Sequence, residues 1–204
     1  MNEQDRAANN SSYAQRIAKF GTERSVLSTG TLQKEMERYD RITSIGILDS
    51  DRTVVLDVGC GLSNYYEYLI SKNFIGEYIG IDVSPEMLEI SKLKFPKNLY
   101  LCGELEEIQA EVKEVDFIVS SQTFNRKLNF SDNYEEIENF IKSAVGIARH
   151  GVAFDLMSDH VDFFEEKHFY YSPERIFQFC KEEFKKVNLF HDLEGFEFVI
   201  QIKK

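Results

Sequence analysis

Two acids and two glycines are the part of this 204-residue chain whose types and spacing can do chemistry. Asp57, Gly59 and Gly61 stand together in VVLDVGCG (54–61), and Asp82 ends the run EYIGID (77–82). Val54, Val55, Leu56 and Val58 form a β-branched, apolar run that does not alternate with polar residues, as in a strand buried on both faces of a parallel sheet. The glycines then permit a tight turn and let backbone N–H groups approach a ligand without a Cβ in the way. An acid at the end of a buried strand is unfavourable unless a cation or a hydrogen-bond donor meets it. Asp57 therefore asks for a ligand with a positive centre, or an amine beside a nucleoside.

The elements that position these residues follow from the pattern along the chain. Residues 1–11 offer little to bury and read as a flexible tail. Tyr13, Ile17 and Phe20 predict a short amphipathic helix ended by Gly21, then a loop over 23–30 and a helix from Thr31 to about Ile47. Strands are expected at 54–58, 77–82, 98–102, 115–120 and 151–157, with helices between them. Ser84-Pro85-Glu86 and Ser172-Pro173-Glu174 are helix openings, and Asp132 with Glu135 has capping-box spacing. The last two strands, 187–192 and 196–202, lie so close in sequence that they must pair antiparallel. The expected fold is α/β, one doubly wound sheet with helices on both faces. Ligands of such sheets bind beyond the carboxyl ends of the strands, where Asp57, Asp82, Glu104 and Ser120 would converge.

Composition narrows the partners. Lys plus Arg is 24 and Asp plus Glu is 35, a net charge of −11, which lacks the basic surface that nucleic acid requires. No apolar run approaches the roughly 18 residues of a membrane span, and the polar start predicts no signal peptide. Three scattered cysteines (Cys60, Cys102, Cys180) make neither a disulfide framework nor a metal site, so a reduced, cytoplasmic protein without a bound metal is expected.

An acid-x-Gly-x-Gly turn also opens dinucleotide sites, but the sixth position from Gly59 is Asn64, not the third glycine of that motif. With VVLDVGCG, YIGIDVSPEMLEISK (78–92), NLYLCGELEE (98–107) and VDFIVSSQTFN (115–125), the chain resembles the class I methyltransferases that use S-adenosylmethionine (SAM). It is similar to a small bacterial branch of that family without a clear substrate. The resemblance implies a Rossmann-like seven-stranded sheet of order 3-2-1-4-5-7-6 with the last strand antiparallel. It implies a tail and helical lid at 1–50 and a SAM-binding domain at 51–204. It puts Asp57, Gly59, Cys60 and Gly61 around the methionine portion and makes Asp82 the acceptor for the ribose hydroxyls. Val83 and Met87 fall against the adenine, Gly103, Glu104 and Leu105 near its amine, and Ser120 to Gln122 under the sulfonium. Ser63 departs from the family pattern, which often has a third glycine there.

Outside these motifs, several residues have two readings. Tyr13 either closes over the cofactor or packs its helix, and Gln33 is the other lid candidate. His160, just past the fifth strand, is a possible general base by its ordinary pKa or a solvated loop residue. Asp155, an acid inside an apolar strand, is either a site residue or a structural acceptor. Asn125 and Arg126 face either the acceptor or solvent, and Tyr170 and Tyr171 either wall its pocket or pack a helix. The function expected is methyl transfer from SAM, with S-adenosylhomocysteine (SAH) as product, to oxygen or nitrogen of a small polar molecule such as a sugar or polysaccharide precursor or a natural-product intermediate. An NAD-dependent oxidoreductase and a non-catalytic SAM-binding module stay open as alternatives.

Overall fold

The apolar runs at the centre of the sheet become strands with residues buried on both of their faces. In the computed structural model, which describes residues 1–21, 26, 30–112 and 114–204, seven strands form one sheet of order β3-β2-β1-β4-β5-β7-β6. They are β1 (Val54–Val58), β2 (Glu77–Asp82), β3 (Leu99–Cys102), β4 (Phe117–Ser120), β5 (Gly151–Met157), β6 (Lys186–Phe190) and β7 (Glu197–Lys203). The first five are parallel to one another, and β7 is antiparallel to both β5 and β6. This is the order and direction the sequence predicts.

Alternate residues of the strands feed two cores. Leu56, Ile79, Ile81, Ile118, Val152 and Phe154 pack with residues of α5 (Leu105–Ile108), α6 (Asn133–Ile147) and α7 (Pro173–Glu183). Val55, Tyr78, Phe117, Val119, Ala153 and Val199 pack on the other face with residues of α2 (Leu32–Thr43), α3 (Asn64–Ser71) and α4 (Pro85–Lys94). Each large side chain so buried contributes about 1.5–3 kcal/mol, so both faces of the sheet resist displacement and its carboxyl edge is a firm platform. Among the described residues no helix is long and apolar enough to cross a membrane.

The N-terminus differs from expectation. Residues 3–11 are not a tail but the first half of α1 (Glu3–Phe20), one continuous helix. Asn2 caps it by accepting from the Gln4 N–H, and Glu3 and Asp5 sit at its positive end. Its polar residues bind other parts of the chain, contacts that hydrophobic patterning does not register. The helix predicted to reach Ile47 stops at Thr43, with Ser44 as C-cap. The loop expected over 23–30 lies outside the described residues except for Val26 and Gly30.

Candidate functional site

The glycine turn after β1 is tied to the end of β2. Gly59 and Cys60 both donate their backbone N–H to the Ile81 carbonyl, at 2.8 and 2.9 Å. The Gly61 N–H donates to Asp82 Oδ2 at 2.9 Å and the Ser84 N–H to Oδ1 at 2.8 Å. Asp57 and Asp82 are thereby held side by side at the carboxyl edge. A Cβ on Gly59 would stand 2.2 Å from Thr123 Oγ1, so the close approach requires glycine there. Ser63 takes the left-handed conformation (φ 56, ψ 36) that a glycine would adopt without strain. Its hydroxyl donates to the Tyr100 hydroxyl at 3.2 Å.

Burial sets the electrostatics. Asp57 is 2% exposed, and desolvation pushes its carboxyl up to about 7, with the charge of Asp82 adding and the Tyr78 hydroxyl opposing. Tyr78 donates to Asp57 Oδ2 at 2.6 Å. Burial also raises Asp82, against the backbone N–H groups that favour its charged form. Cys60 fills the turn as a buried thiol raised well above its usual range by the same desolvation, which makes it inert as a nucleophile.

A cavity of about 580 Å³ opens over this edge, within the usual size of a ligand site. Asp57, Gly59, Cys60, Gly61, Asp82, Val83, Met87, Gly103, Glu104 and Leu105 all line it, as do Tyr13, Gln122, Arg126 and Tyr171. The structure thus brings together residues from six segments that the sequence places far apart.

Helix α1 is the roof. Asp5 accepts three backbone N–H groups, from Asn129, Phe130 and Ser131, at 2.9, 3.0 and 2.9 Å. Arg6 Nη1 bonds both carboxylate oxygens of Glu107, and Asn10 Nδ2 donates to the Val83 carbonyl at 2.9 Å. Arg126 reaches Asn9 Oδ1 at 3.3 Å, and the Met1 amine lies 2.8 Å from Glu104 Oε2 and from Glu136 Oε2. These contacts join α1 to the loops on both sides of the cavity.

The wall at the end of β4 rests on buried charge. Gln122, itself at φ 61, donates its backbone N–H to Asp155 Oδ1 at 3.1 Å. Its Nε2 donates to Asp155 Oδ2 at 2.9 Å and to Glu197 Oε1 at 3.0 Å. Arg38, 1% exposed, donates to the same Glu197 oxygen at 3.4 Å. Burial lifts the Asp155 carboxyl to about 6 although Arg38 opposes it.

Several expected residues stand elsewhere. His160 is exposed, its Nε2 3.0 Å from Glu174 Oε1, in a surface cluster with Asp159. It does not line the cavity, because the chain turns away after β5 and the α7 opening captures the ring. Asp155 is one layer behind the wall, its carboxylate occupied by Gln122. Ser120 also lies behind it and donates to the Val58 carbonyl at 2.9 Å. Gln33 is at the surface beside Glu37 and Glu194. Asn125 is buried, its Oδ1 accepting from the Met157 N–H, and the Tyr170 hydroxyl accepts from the Glu165 N–H. Conversely Tyr39, Asn64 and Tyr65, and the α6 stripe Glu136, Asn139 and Ser143, line the cavity without having been singled out. Only the stripe carried a signal, polar residues three and four apart on one helix face.

Residues 56–154 match the model of a family described as a methyltransferase domain. The protein named "Putative methyltransferase Rv1506c" of Mycobacterium tuberculosis strain H37Rv is 29% identical over 163 residues, 76% of this chain and 95% of that one. The chain is thus similar to methyltransferases, in its central part to the family model and over most of its length to that relative. Its fold agrees with solved methyltransferases at lower identity. A SAM-dependent methyltransferase from Archaeoglobus fulgidus superposes with a TM-score of 0.65 at 14% identity, over 94% of this chain and 99% of that one. The plantazolicin methyltransferase BpumL, in complex with SAH and a pentazolic desmethylPZN analog, gives 0.65 at 12% identity over 100% and 99%. The SAH named in that complex is the product form of SAM, the cofactor that the sequence resemblance implies for this chain.

Buried polar atoms in the cavity wall fit that cofactor. Asn64 Nδ2, a donor, and Glu104 Oε1, an acceptor, are buried without a hydrogen-bond partner among the described residues. A molecule with a carboxylate at one end and an exocyclic amine at the other would satisfy one of each.

Proposed function

We propose that this methyltransferase transfers the methyl group of SAM to an oxygen or nitrogen of a small polar molecule held under α1. The observation that carries this reading is the convergence of Asp57, Gly59–Gly61, Asp82 and Gly103–Leu105 on one roofed cavity. In this reading Asp57 receives the methionine ammonium and Asn64 the carboxylate. The Asp82 oxygens, each taking one backbone N–H, keep lone pairs for the ribose hydroxyls. Val83, Met87 and Leu105 hold the adenine, with Glu104 accepting from its amine.

When bound, the sulfonium supplies an electrophilic methyl and a good leaving group. The chain's own residues therefore have three tasks: to fix the reacting atoms in line, to exclude water and to favour the correct nucleophile. Asp57, Asp82 and the glycine turn fix one partner. Helix α1 excludes water, its half-buried Tyr13 lining the cavity. The wall at Gln122, with Tyr39, Phe124, Arg126 and Tyr171, meets the other partner. Asp155 enters as a positioning residue behind Gln122, and His160, outside the cavity lining, has no part in this reading.

Calorimetric titration with SAM, SAH and NAD tests this reading. Tight binding of the first two alone is expected, and Asp82→Ala should abolish it. Binding of NAD alone, or an Asp82→Ala protein with unchanged affinity, would refute the assignment.

A further inference from the structure

The buried network behind the end of β4 determines which way the Gln122 amide faces. Both Nε2 hydrogens are used, one on Asp155 and one on Glu197. Turning the amide over would place Oε1 at 2.9 and 3.0 Å from two carboxylate oxygens, acceptor against acceptor in a low-dielectric interior. The amide is therefore held with its nitrogen toward the acids, leaving Oε1 as the end available to a ligand in the cavity. Donation to two carboxylates also polarises the amide and strengthens Oε1 as an acceptor.

Neighbouring groups repeat the pattern. Tyr39, on the cavity wall, is hydrogen-bonded through its hydroxyl to Glu35, a buried acid one helical turn before it. The Ser121 hydroxyl lies close enough to favour the charged form of Asp155 but is buried without a hydrogen-bond partner among the described residues. Three carboxylates (Glu35, Asp155, Glu197) and one guanidinium (Arg38) are buried behind this wall. The donor hydrogens of Gln122 and Tyr39 are drawn backward into the acids, which leaves their acceptor lone pairs for the cavity.

We propose that this wall selects a methyl acceptor whose nucleophile carries a hydrogen, an amine or a hydroxyl, that Gln122 Oε1 receives this hydrogen, and that carboxylate acceptors are rejected. The proposal rests on the reading of the cavity as a methyltransferase site and deepens it. An amine or hydroxyl donates to Oε1 and so presents its lone pair along a fixed direction. A carboxylate has no hydrogen to give and meets an oxygen backed by acids, the unpaired arrangement that penalises the wrong ligand most. Gln122 is thus a specificity-determining residue, and Asp155 and Glu197 are the positioning residues that orient it.

The test uses the full chain saturated with SAH and three probes with one phenyl body, suited to the aromatic side chains of the cavity: 2-phenylethylamine, 2-phenylethanol and 3-phenylpropanoate. Binding to the SAH complex is followed by NMR titration at pH 7.5. The amine and the alcohol should bind at least about tenfold more tightly than the carboxylate. Gln122→Leu, compared at SAH concentrations that saturate each protein, should erase that difference. Should that variant fail to fold, Glu197→Gln, which lets the amide turn over, should shrink the difference instead. A carboxylate that binds as well as the amine, no response to the amine and alcohol, or discrimination unchanged in the variant would each overturn the proposal. Failure of the unmodified protein to bind SAH is read before any probe is added, and it would instead overturn the cofactor assignment.

Discussion

The Tyr78 hydroxyl donates a 2.6 Å hydrogen bond to Asp57 Oδ2, yet burial still leaves the Asp57 carboxyl near 7. One hydrogen bond does not offset complete removal from water beside a second acid, Asp82. The ligand-free site therefore holds a carboxyl that is half-protonated near neutral pH and waits for a cation.

This gives a signed pH dependence. If Asp57 receives the methionine ammonium, binding needs its ionised form, and a pKa near 7 raises that fraction about eightfold between pH 6 and 7.5. SAH should bind about five- to tenfold more tightly at pH 7.5 than at pH 6 by calorimetry, and Asp57→Asn should flatten the profile. Stability of the free protein runs the other way. Between about pH 4 and 7 the folded chain keeps a proton that the unfolded chain has released, so stability falls as pH rises through that window. Asp155, lifted to about 6, adds to the same slope. The melting temperature of free Asp57→Asn should accordingly fall less from pH 5 to 7.5 than that of the unmodified protein.

Ser63 provides a stability test at the position where the family often has glycine. Its left-handed backbone strains any residue with a Cβ by about 1 kcal/mol, and its hydroxyl bond to Tyr100 returns a similar amount. Ser63→Ala loses the bond and keeps the strain, whereas Ser63→Gly loses both. The glycine variant should melt about 2–4 °C above the alanine variant. Equal melting temperatures would mean that the backbone at this turn is not strained.

The sheet and the convergence of Asp57, Asp82 and the glycine turn at its carboxyl edge were legible because they are written locally. A β-branched run, a glycine turn and an acid at a strand end sit within eight residues around Asp57. The neighbouring acid at Asp82 follows from the same grammar one strand later. The remainder depends on contacts between distant segments. Helix α1 is held by Asp5 on residues 129–131 and by Arg6 on Glu107, so hydrophobic patterning could not separate it from a tail. His160 read as available because its partner Glu174 opens another helix. Asp155 read as a site residue for a sound reason, an acid inside an apolar strand, but its partner Gln122 stands between it and the cavity. Tyr39 in α2 belongs to the core while also reaching the cavity, a double position that helical spacing does not reveal.

Gly59 tests the close approach at the turn. A methyl group there would meet Thr123 Oγ1 at 2.2 Å and its Cγ2 at 2.5 Å, on a backbone at φ +73. Gly59→Ala should lower stability by about 1–3 kcal/mol and weaken SAH binding at least tenfold. Removing the threonine side chain relieves the clash but not the backbone strain. Gly59→Ala with Thr123→Ala should therefore recover part of the loss, with a favourable coupling of about 1 kcal/mol in a double-mutant cycle. Strict additivity would show that the two residues do not collide.

Asp5 tests the roof. Its carboxylate takes three backbone N–H groups, and these hold its pKa below the usual carboxylate range against the opposing effect of desolvation. A depressed carboxyl stabilises above its unfolded pKa and loses that contribution only as pH falls through the folded value. The latch is therefore closed at every pH above about 4. Asp5→Ala leaves three N–H groups without their acceptor and should reduce stability by about 1–3 kcal/mol. Since α1 covers the cavity, the same change should speed SAH release by about tenfold in stopped-flow displacement. Amide exchange in residues 3–13 should rise with it, while residues of β1 and β2 stay protected. Release at the unmodified rate, with α1 exchanging freely, would mean that the cofactor leaves by a route that does not need the roof to lift.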